Sequence, residues 1–152
     1  MLNISGLREG VVIDHIKAGG AMEIYYYLKL DQIDDCEVAI IKNAQSSKSG
    51  RKDMIKIEGH TDLNIDMLGV LDKNITVNII HDGIISKKLH LTLPETVENV
   101  IRCKNPRCIT SIEQELAHKF YLTDAERGIY RCIYCEQKYK GNQKYDRRIK
   151  KS

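Results

Sequence analysis

The sequence predicts an α+β fold in two parts, an N-terminal ferredoxin-like antiparallel sheet with two helices and a small C-terminal all-β zinc-binding domain. Segments of strand and helix periodicity alternate through residues 1–94, and four of the five cysteines follow within residues 95–152. Pro94 ends the first pattern and opens a short linker, which places the domain boundary near residue 95. With 152 residues, 42% of them hydrophobic, the chain can form two small cores.

Five strands are predicted in the first part. Residues 11–16 are rich in β-branched side chains and are closed by Ala-Gly-Gly, which is typical of a short strand. Four later segments share high β propensity or alternating polarity, and they are 37–42, 52–58, 75–81 and 84–91. Asp82-Gly83 favours a type I′ turn, so the last two strands should form a hairpin.

Two helices and one loop connect these strands. Apolar residues at positions 21, 24, 25 and 28 have the i, i+3, i+4, i+7 spacing of an amphipathic helix. Leucine and methionine residues within 63–71 predict a second, shorter helix, and the small polar residues of 43–50 predict an exposed loop. The resulting order, βαββαββ, places both helices on one face of the sheet, close to a ferredoxin-like arrangement with one added strand.

Composition and missing motifs exclude several classes of protein. The apolar runs are shorter than the ~18 residues that a membrane-spanning helix needs, so no membrane insertion is expected. The N-terminal residues MLNISGLREG lack the basic and apolar regions of a secretory signal, which predicts a reducing, cytoplasmic location. Neither a phosphate-binding loop nor a GxSxG or HExxH motif occurs, and no enzymatic activity is therefore expected.

Two short cysteine pairs are the strongest chemical signal in the sequence. Cys103-x4-Cys108 and Cys132-x2-Cys135 have the spacing by which two knuckles bring four thiolates to one tetrahedral Zn²⁺. Four protein ligands close the coordination sphere, so this zinc, one per chain, should be structural and not catalytic. Cys36 lies alone in the first part and is interpreted as a small core residue.

Lysines on the predicted strands allow two interpretations. Lys52 and Lys56 are four residues apart on one strand, which places them on the same face with their Cα atoms about 13 Å apart. Lys87 and Lys88 add a further pair on the fifth strand, and three converging lysines could neutralise a triphosphate. A solvated sheet edge guarded by lysines explains the same residues, and composition alone favours that explanation.

Several runs of residues resemble, in the same order, the regulatory chain of aspartate carbamoyltransferase. These runs are Val-Ile-Asp-His-Ile (12–16), Gly-Arg-Lys-Asp-Met-Ile-Lys-Ile-Glu (50–58), Thr-Val-Asn (76–78), Leu-Pro-Glu (93–95), Cys-Lys-Asn-Pro-Arg-Cys-Ile (103–109) and Cys-Ile-Tyr-Cys-Glu (132–136). Their joint occurrence with the cysteine spacing is highly specific, and the resemblance spans residues 4–140.

This resemblance implies a non-catalytic regulatory subunit of pyrimidine biosynthesis. Residues 1–94 would form an allosteric domain that binds the nucleoside triphosphates CTP, UTP or ATP, and residues 95–152 would form a zinc domain that docks on the catalytic chain. The regulatory chain would also form a homodimer. By residue-to-residue transfer, the nucleotide site falls on Leu7, Asp14, His15, Lys52, Lys56, Asn78, Ile80 and Lys88, and the zinc ligands are Cys103, Cys108, Cys132 and Cys135.

Two positions depart from the family pattern, and one alternative remains. Gly83 stands where a tyrosine near the base pocket is usual, and Ser5 stands where an acidic residue is usual. Strict alternation along a strand also sends Asp14 and His15 to opposite faces, so one of them must reach the site through an irregularity at the strand end or be merely structural. The alternative is a zinc-ribbon protein that binds nucleic acid through tyrosines and the basic tail 136–152, which leaves the first 94 residues unexplained.

Overall fold

Five antiparallel strands and two helices build the first unit of the computed structural model, which describes residues 8–47, 50–59, 63 and 65–139. In chain order they are β1 (Gly10–Lys17), α1 (Ala21–Tyr27), β2 (Glu37–Ser46), β3 (Gly50–Glu58), α2 (Leu68–Leu71), β4 (Thr76–His81) and β5 (Ile84–His90). The strands are arranged as β2-β3-β1-β4-β5, which is the ferredoxin-like order with β5 added beside β4. The predicted fold class is confirmed.

The hairpin of β2 and β3 is longer than predicted. Residues 43–50 were expected to form a loop, but β2 continues to Ser46 and β3 begins at Gly50. Ala44 pairs with Lys52 and Gln45 with Arg51, so backbone hydrogen bonds hold this segment in the sheet although its side chains are small and polar. Such side chains are tolerated here because β2 is an edge strand with one side open to solvent.

The first helix agrees with the sequence pattern, whereas the second is shorter than predicted. The helix expected over 63–71 is regular only from Leu68 to Leu71. Leu63 and Met67 instead pack against the core from irregular backbone, so their spacing reflects burial and not helical periodicity. Gly69 lies inside this single turn, where glycine weakens a helix. No helix among the described residues has the length and apolar character needed to cross a bilayer.

Alternation along the strands gives the first sheet two different faces. Val11, Ile13, Ile55, Ile57 and Val77 belong to one large buried cluster that also contains the apolar residues of α1 and α2. A second cluster is much smaller and consists of Val12, Met54 and Ile80. Because these residues alternate with the first set along their strands, they project from the opposite face of the sheet. That second face is where charged side chains are concentrated.

Asp53 joins three segments of backbone in the middle of β3. The residue is completely buried, yet its carboxylate is well satisfied. Oδ2 accepts hydrogen bonds from the N–H groups of Gly19 (3.0 Å) and Ala21 (3.1 Å), and Oδ1 accepts one from Asn43 (2.8 Å). Strands β1 and β2 both contain a register shift next to it. This carboxylate therefore holds the start of α1 and the bulge of β2 against β3, and a buried carboxylate requires such donors.

Four short strands and one helical turn build the second unit. They are β6 (Thr96–Glu98), α3 (Ile109–Ile112), β7 (Lys119–Asp124), β8 (Ile129–Cys132) and β9 (Lys138–Tyr139), with the strands in the order β6-β7-β8-β9. Phe120, Tyr130 and Tyr139 are buried, and the rings of Phe120 and Tyr139 make an edge contact with centroids 6.4 Å apart. These three aromatic side chains are the largest buried residues of this unit, and they belong to the same buried cluster as the core of the first unit.

Candidate functional site

Four cysteine side chains converge at one end of the second sheet. Cys103 and Cys108 lie in the segment between β6 and α3, Cys132 ends β8, and Cys135 follows in the next turn. The four Sγ atoms all lie within 4.8 Å of one another. The Sγ atoms of Cys103 and Cys135 are 3.5 Å apart, and those of Cys108 and Cys132 are 3.8 Å apart. All four thiols are free and not joined in disulfides.

The geometry of this cluster fits one structural zinc. Four sulfurs at the usual Zn–S length of about 2.3 Å form a tetrahedron whose edges are about 3.8 Å, close to the observed separations. A set of four thiolates is soft and closed, which is typical of structural zinc and leaves no position for a substrate. Zinc bound here would crosslink the two knuckles. The predicted zinc ligands are thus brought together as a complete set.

Electrostatics distinguish the cysteines of the cluster. Burial raises the pKa of the Cys103 and Cys132 thiols. Burial also acts to raise the pKa of Cys135, but hydrogen bonds from the Gln137 backbone N–H, the Asn105 side chain and the neighbouring thiols outweigh it and lower that pKa to about 7. Cys135 therefore forms a thiolate more readily than Cys103 or Cys132, whose protons a bound metal would displace.

Thr110 lies two residues after Cys108, in the helical turn α3, and contacts the cysteine cluster. Its side chain is buried, and Oγ1 donates a hydrogen bond to Cys108 Sγ at 3.2 Å. A hydroxyl that donates to a thiolate stabilises the negative charge on the sulfur and fixes its orientation. The sequence gives no signal for this contact, because threonine is common at helix starts and does not by itself indicate a bond to a metal ligand.

The second face of the first sheet brings most of the predicted nucleotide-site residues together. One row of directly paired residues crosses the four strands β3, β1, β4 and β5. In that order its members are Lys56, Val12, Asn78 and Lys88. Their side chains therefore project from the same face, and the Cα atoms of the two lysines at the ends of this row are about 14 Å apart. We call this side of the sheet the lysine face. Ile80 lies on it two residues beyond Asn78, at 1% exposure.

A bulge in β1 resolves the expected conflict between Asp14 and His15. His15 has a positive φ of 61°, and the register of β1 against β3 shifts between Ile13 and Ile16. Asp14 pairs with Thr76 across β4, and His15 Nδ1 lies 2.9 Å from Thr76 Oγ1. The left-handed backbone at His15 therefore turns the imidazole ring toward Thr76, the residue that pairs with Asp14. Both predicted residues lie at the same corner of the lysine face.

Lys52 and Asp14 form an ion pair at that corner. The distance between Lys52 Nζ and Asp14 Oδ1 is 2.9 Å, and the two side chains are only 16% and 14% exposed. The convergence of three lysines on a triphosphate stays a prediction, in which Lys52 would act together with the carboxylate of Asp14. Among the described residues, Lys88 has no such ion-pair partner and is exposed. Its charge is available to an anion.

Asn78 contains a side-chain oxygen that the described residues leave without a hydrogen-bond partner. The residue is 9% exposed, and its Oδ1 is buried without a hydrogen-bond partner among the described parts of the chain. An unsatisfied buried acceptor costs about 1–3 kcal/mol, so native structures rarely keep one without a reason. A ligand N–H or O–H group would remove this cost. Leu7, the remaining predicted site residue, lies outside the described residues.

Two protein-family models match the chain. The model described as "Aspartate carbamoyltransferase regulatory chain, allosteric domain" matches residues 2–92, and the one described as "Aspartate carbamoyltransferase regulatory chain, metal binding domain" matches residues 95–144. The first match covers residues 2–92, the part of the chain that the zinc-ribbon nucleic-acid-binding alternative does not explain. That alternative is therefore set aside.

Relatives named aspartate carbamoyltransferase regulatory chain are similar along almost their whole length. One from Clostridium botulinum is 50% identical over 141 residues, and one from Clostridium acetobutylicum is 52% identical over 141 residues. Each alignment covers 93% of this chain and 96% of the relative. A relative from Bifidobacterium longum is 38% identical over 139 residues, covering 91% of this chain and 99% of the relative. All three are named as the regulatory and not the catalytic chain, which agrees with the expectation of no catalytic activity.

The cysteine cluster predicts that the purified chain contains about one zinc per molecule. Removing the metal with a chelator should unfold the second unit and leave the first sheet folded, because a small unit depends on metal binding worth about 10–16 kcal/mol. Metal analysis and site-resolved amide hydrogen exchange would measure both effects. A metal-free preparation with a fully protected second sheet would contradict the prediction.

The contact of Thr110 with Cys108 predicts a specific loss of zinc affinity. Thr110→Val keeps the shape of the side chain but removes the donor, and we expect about tenfold weaker zinc binding in competition with a chromophoric chelator. Thr110→Ser keeps the hydroxyl and should bind zinc with nearly the parent affinity. Equal weakening in both variants would show that packing, and not the hydrogen bond, is what Thr110 contributes.

Proposed function

The chain belongs to the family of aspartate carbamoyltransferase regulatory chains, and from that premise we propose that its lysine face binds a nucleoside triphosphate effector. CTP, UTP and ATP are the candidate effectors. The metal-binding unit is the part that docks on the catalytic chain in this proposal. The chain itself performs no reaction and alters the activity of its partner in pyrimidine biosynthesis.

The unsatisfied Asn78 Oδ1 is the observation that supports the nucleotide site most strongly. It lies in the row between Lys56 and Lys88, so a buried acceptor is flanked by two cations on one face. A nucleoside triphosphate offers a matching combination, since it has N–H or O–H donors on the nucleoside and several negative charges on the phosphates. An inorganic anion alone would leave the Asn78 acceptor unsatisfied.

The distribution of polarity on the lysine face supports the same ligand. Ile85 pairs with the buried Ile80 at one end of the face and, at 47% exposure, provides apolar surface there. At the other end lie His15, Thr76 and the ion pair of Lys52 with Asp14, which provide hydrogen-bonding groups. A nucleotide has an apolar base and a charged tail, and a surface graded from apolar to polar suits it.

Apolar residues around the cysteine cluster favour docking of the metal-binding unit on a protein. Ile109 and Ile112 follow Cys108 in α3, and Ile133 and Tyr134 lie between the last two cysteines. These four residues are 42%, 69%, 43% and 39% exposed. We call them the knuckle patch. Exposed apolar and aromatic residues gathered around a rigid metal cluster are typical of an interface, and the proposed occupant is the catalytic chain.

A homodimer of this chain and a cytoplasmic location complete the proposal. Both β2 and β5 are edge strands of the first sheet, so each has backbone groups that a second copy could pair with. Free thiols at all five cysteines are compatible with the reducing cytoplasm, where zinc–thiolate sites persist and disulfides are rare.

The nucleotide site predicts selective losses of affinity. Lys56→Ala and Lys88→Ala should each weaken binding of CTP and ATP by about tenfold to about a hundredfold, the effect of losing one charge-assisted contact worth about 1.5–3 kcal/mol. Lys87→Ala is the matched control, because Lys87 pairs with Ile79 and projects from the other face of β5. Calorimetric titration of the full chain measures all three affinities, and zinc content should not change.

A result within about twofold of the parent for both Lys56→Ala and Lys88→Ala would contradict the site, because exposed lysines on a solvated edge contribute little. Equal losses in Lys87→Ala would indicate attraction by net charge and not a defined site.

The knuckle patch predicts a docking defect that is separate from nucleotide binding. Ile112→Asp should weaken assembly with the catalytic chain by at least about tenfold, because burial of an unpaired carboxylate in an interface carries a large desolvation penalty. Ile84→Asp is the control, since Ile84 is also 69% exposed but lies on β5 in the first unit. Analytical ultracentrifugation of mixtures would measure assembly. Normal assembly of the Ile112→Asp chain would exclude this surface.

A further inference from the structure

We propose that the metal-binding unit holds the open end of the β4–β5 hairpin, and that Tyr130 is the positioning residue through which a nucleotide on this hairpin acts on the metal-binding unit. The inference rests on the proposed function, because it states how the nucleotide site is connected to the docking unit. It concerns the contacts of residues 91–95, which link the two units, and we call these residues the linker.

A hydrogen bond from Tyr130 holds the end of the linker. The hydroxyl of Tyr130, on β8, donates to the carbonyl oxygen of Pro94 at 2.6 Å. Tyr130 is completely buried, so this hydrogen bond is shielded from competing water. One residue further, the backbone N–H of Leu122 on β7 donates to the carbonyl oxygen of Glu95 at 2.8 Å. The second unit therefore binds the linker through two adjacent carbonyl groups.

A second connection reaches the segment that precedes β4. Lys73 Nζ donates to the carbonyl oxygen of Glu126, in the turn between β7 and β8, at 3.2 Å. Gly128 lies in the same turn with φ +68°, and a Cβ placed there would come within 3.5 Å of Lys73 and 3.6 Å of Leu93. The turn is thus packed against both the start of β4 and the linker that follows β5.

The linker also packs tightly on the first unit. A Cβ added to Gly69 of α2 would come within 3.2 Å of the Leu91 Cβ, and within 3.7 Å of Leu93. Leu91 and Leu93 both belong to the half-buried residues that pack on the main core. The linker is therefore fixed on both sides, and a shift of the first unit at this place moves the second unit with it.

These contacts meet at one end of the hairpin that contributes to the proposed nucleotide site. β4 contains Asn78 and begins just after Lys73, while β5 contains Lys88 and continues directly into the linker. Both strands are therefore attached to the second unit at the end opposite the Asp82-Gly83 turn. On the other side of the connection, Tyr130 lies two residues before the zinc ligand Cys132, which leads into the knuckle patch. A nucleotide that repositions the hairpin thus displaces the docking surface.

The test compares the parent chain with Tyr130→Phe, which removes the hydroxyl and keeps the buried ring. In the full-length, zinc-loaded chain, saturating CTP or ATP should change the amide hydrogen exchange rate of Leu122, whose N–H binds the linker. Tyr130→Phe should reduce that nucleotide-dependent change by a factor of about two to about ten, the contribution of one neutral hydrogen bond to an equilibrium. Zinc content and nucleotide affinity should stay within about twofold of the parent. Tyr121→Phe is the control, because its hydroxyl bonds Glu136 on the outer side of the same sheet.

A parallel variant keeps the test decisive if Tyr130→Phe loses zinc. Lys73→Met removes the bond to Glu126 at an exposed position and should reduce the response of Leu122 in the same direction. In the complex with the catalytic chain, both variants should also reduce the fold-change that the nucleotide causes in the rate of carbamoyl transfer. Full responses in both variants, with nucleotide still bound, would overturn this inference alone. Failure of the parent chain to bind either nucleotide would overturn the proposed function together with it.

Discussion

The cluster of four thiols is the constraint on which the second unit depends. That unit has few buried apolar side chains, and its strands are two to six residues long, so hydrophobic burial alone cannot hold it together. A metal bound by Cys103, Cys108, Cys132 and Cys135 ties the start of α3 to the end of β8. β8 in turn presents Tyr130 to the linker, and the linker continues β5. The metal centre thereby supports contacts far from the sulfur atoms.

The first sheet uses its two faces for different purposes. The face toward α1 and α2 is apolar and provides stability, whereas the lysine face combines cations, a partly buried ion pair and an amide oxygen without a hydrogen-bond partner among the described residues. This combination lowers the stability of the protein when no ligand is bound, since a buried polar group without a partner costs free energy. A binding site explains this cost. Separation of the two faces also allows a ligand to bind without disturbing the core.

Much of the fold could be predicted from the sequence, because strand periodicity, the Asp-Gly turn and the cysteine spacing are local signals. The arrangement at His15 could not be, since its positive φ accompanies a register shift of β1 against β3 and its ring contacts Thr76 on β4, 61 residues away. Strand alternation alone predicts that Asp14 and His15 lie on opposite faces of the sheet, and it does not reveal the ion pair between Lys52 and Asp14. The sequence predicts the existence and the end of α2 but not its start, because burial imposes a helical spacing on Leu63 and Met67 in irregular backbone. Contacts between Tyr130 and Pro94 join residues 36 apart, and no local pattern signals them.

The most direct test of the account measures the rate of carbamoyl transfer by the catalytic chain, with and without the zinc-loaded chain described here, as CTP or ATP is titrated. The account predicts that a saturable response to nucleotide appears only when this chain is present. It also predicts that the nucleotide effect disappears when the metal is removed, because the second unit can then no longer dock. A nucleotide response of equal size in the catalytic chain alone, or none in the assembled complex, would contradict the account.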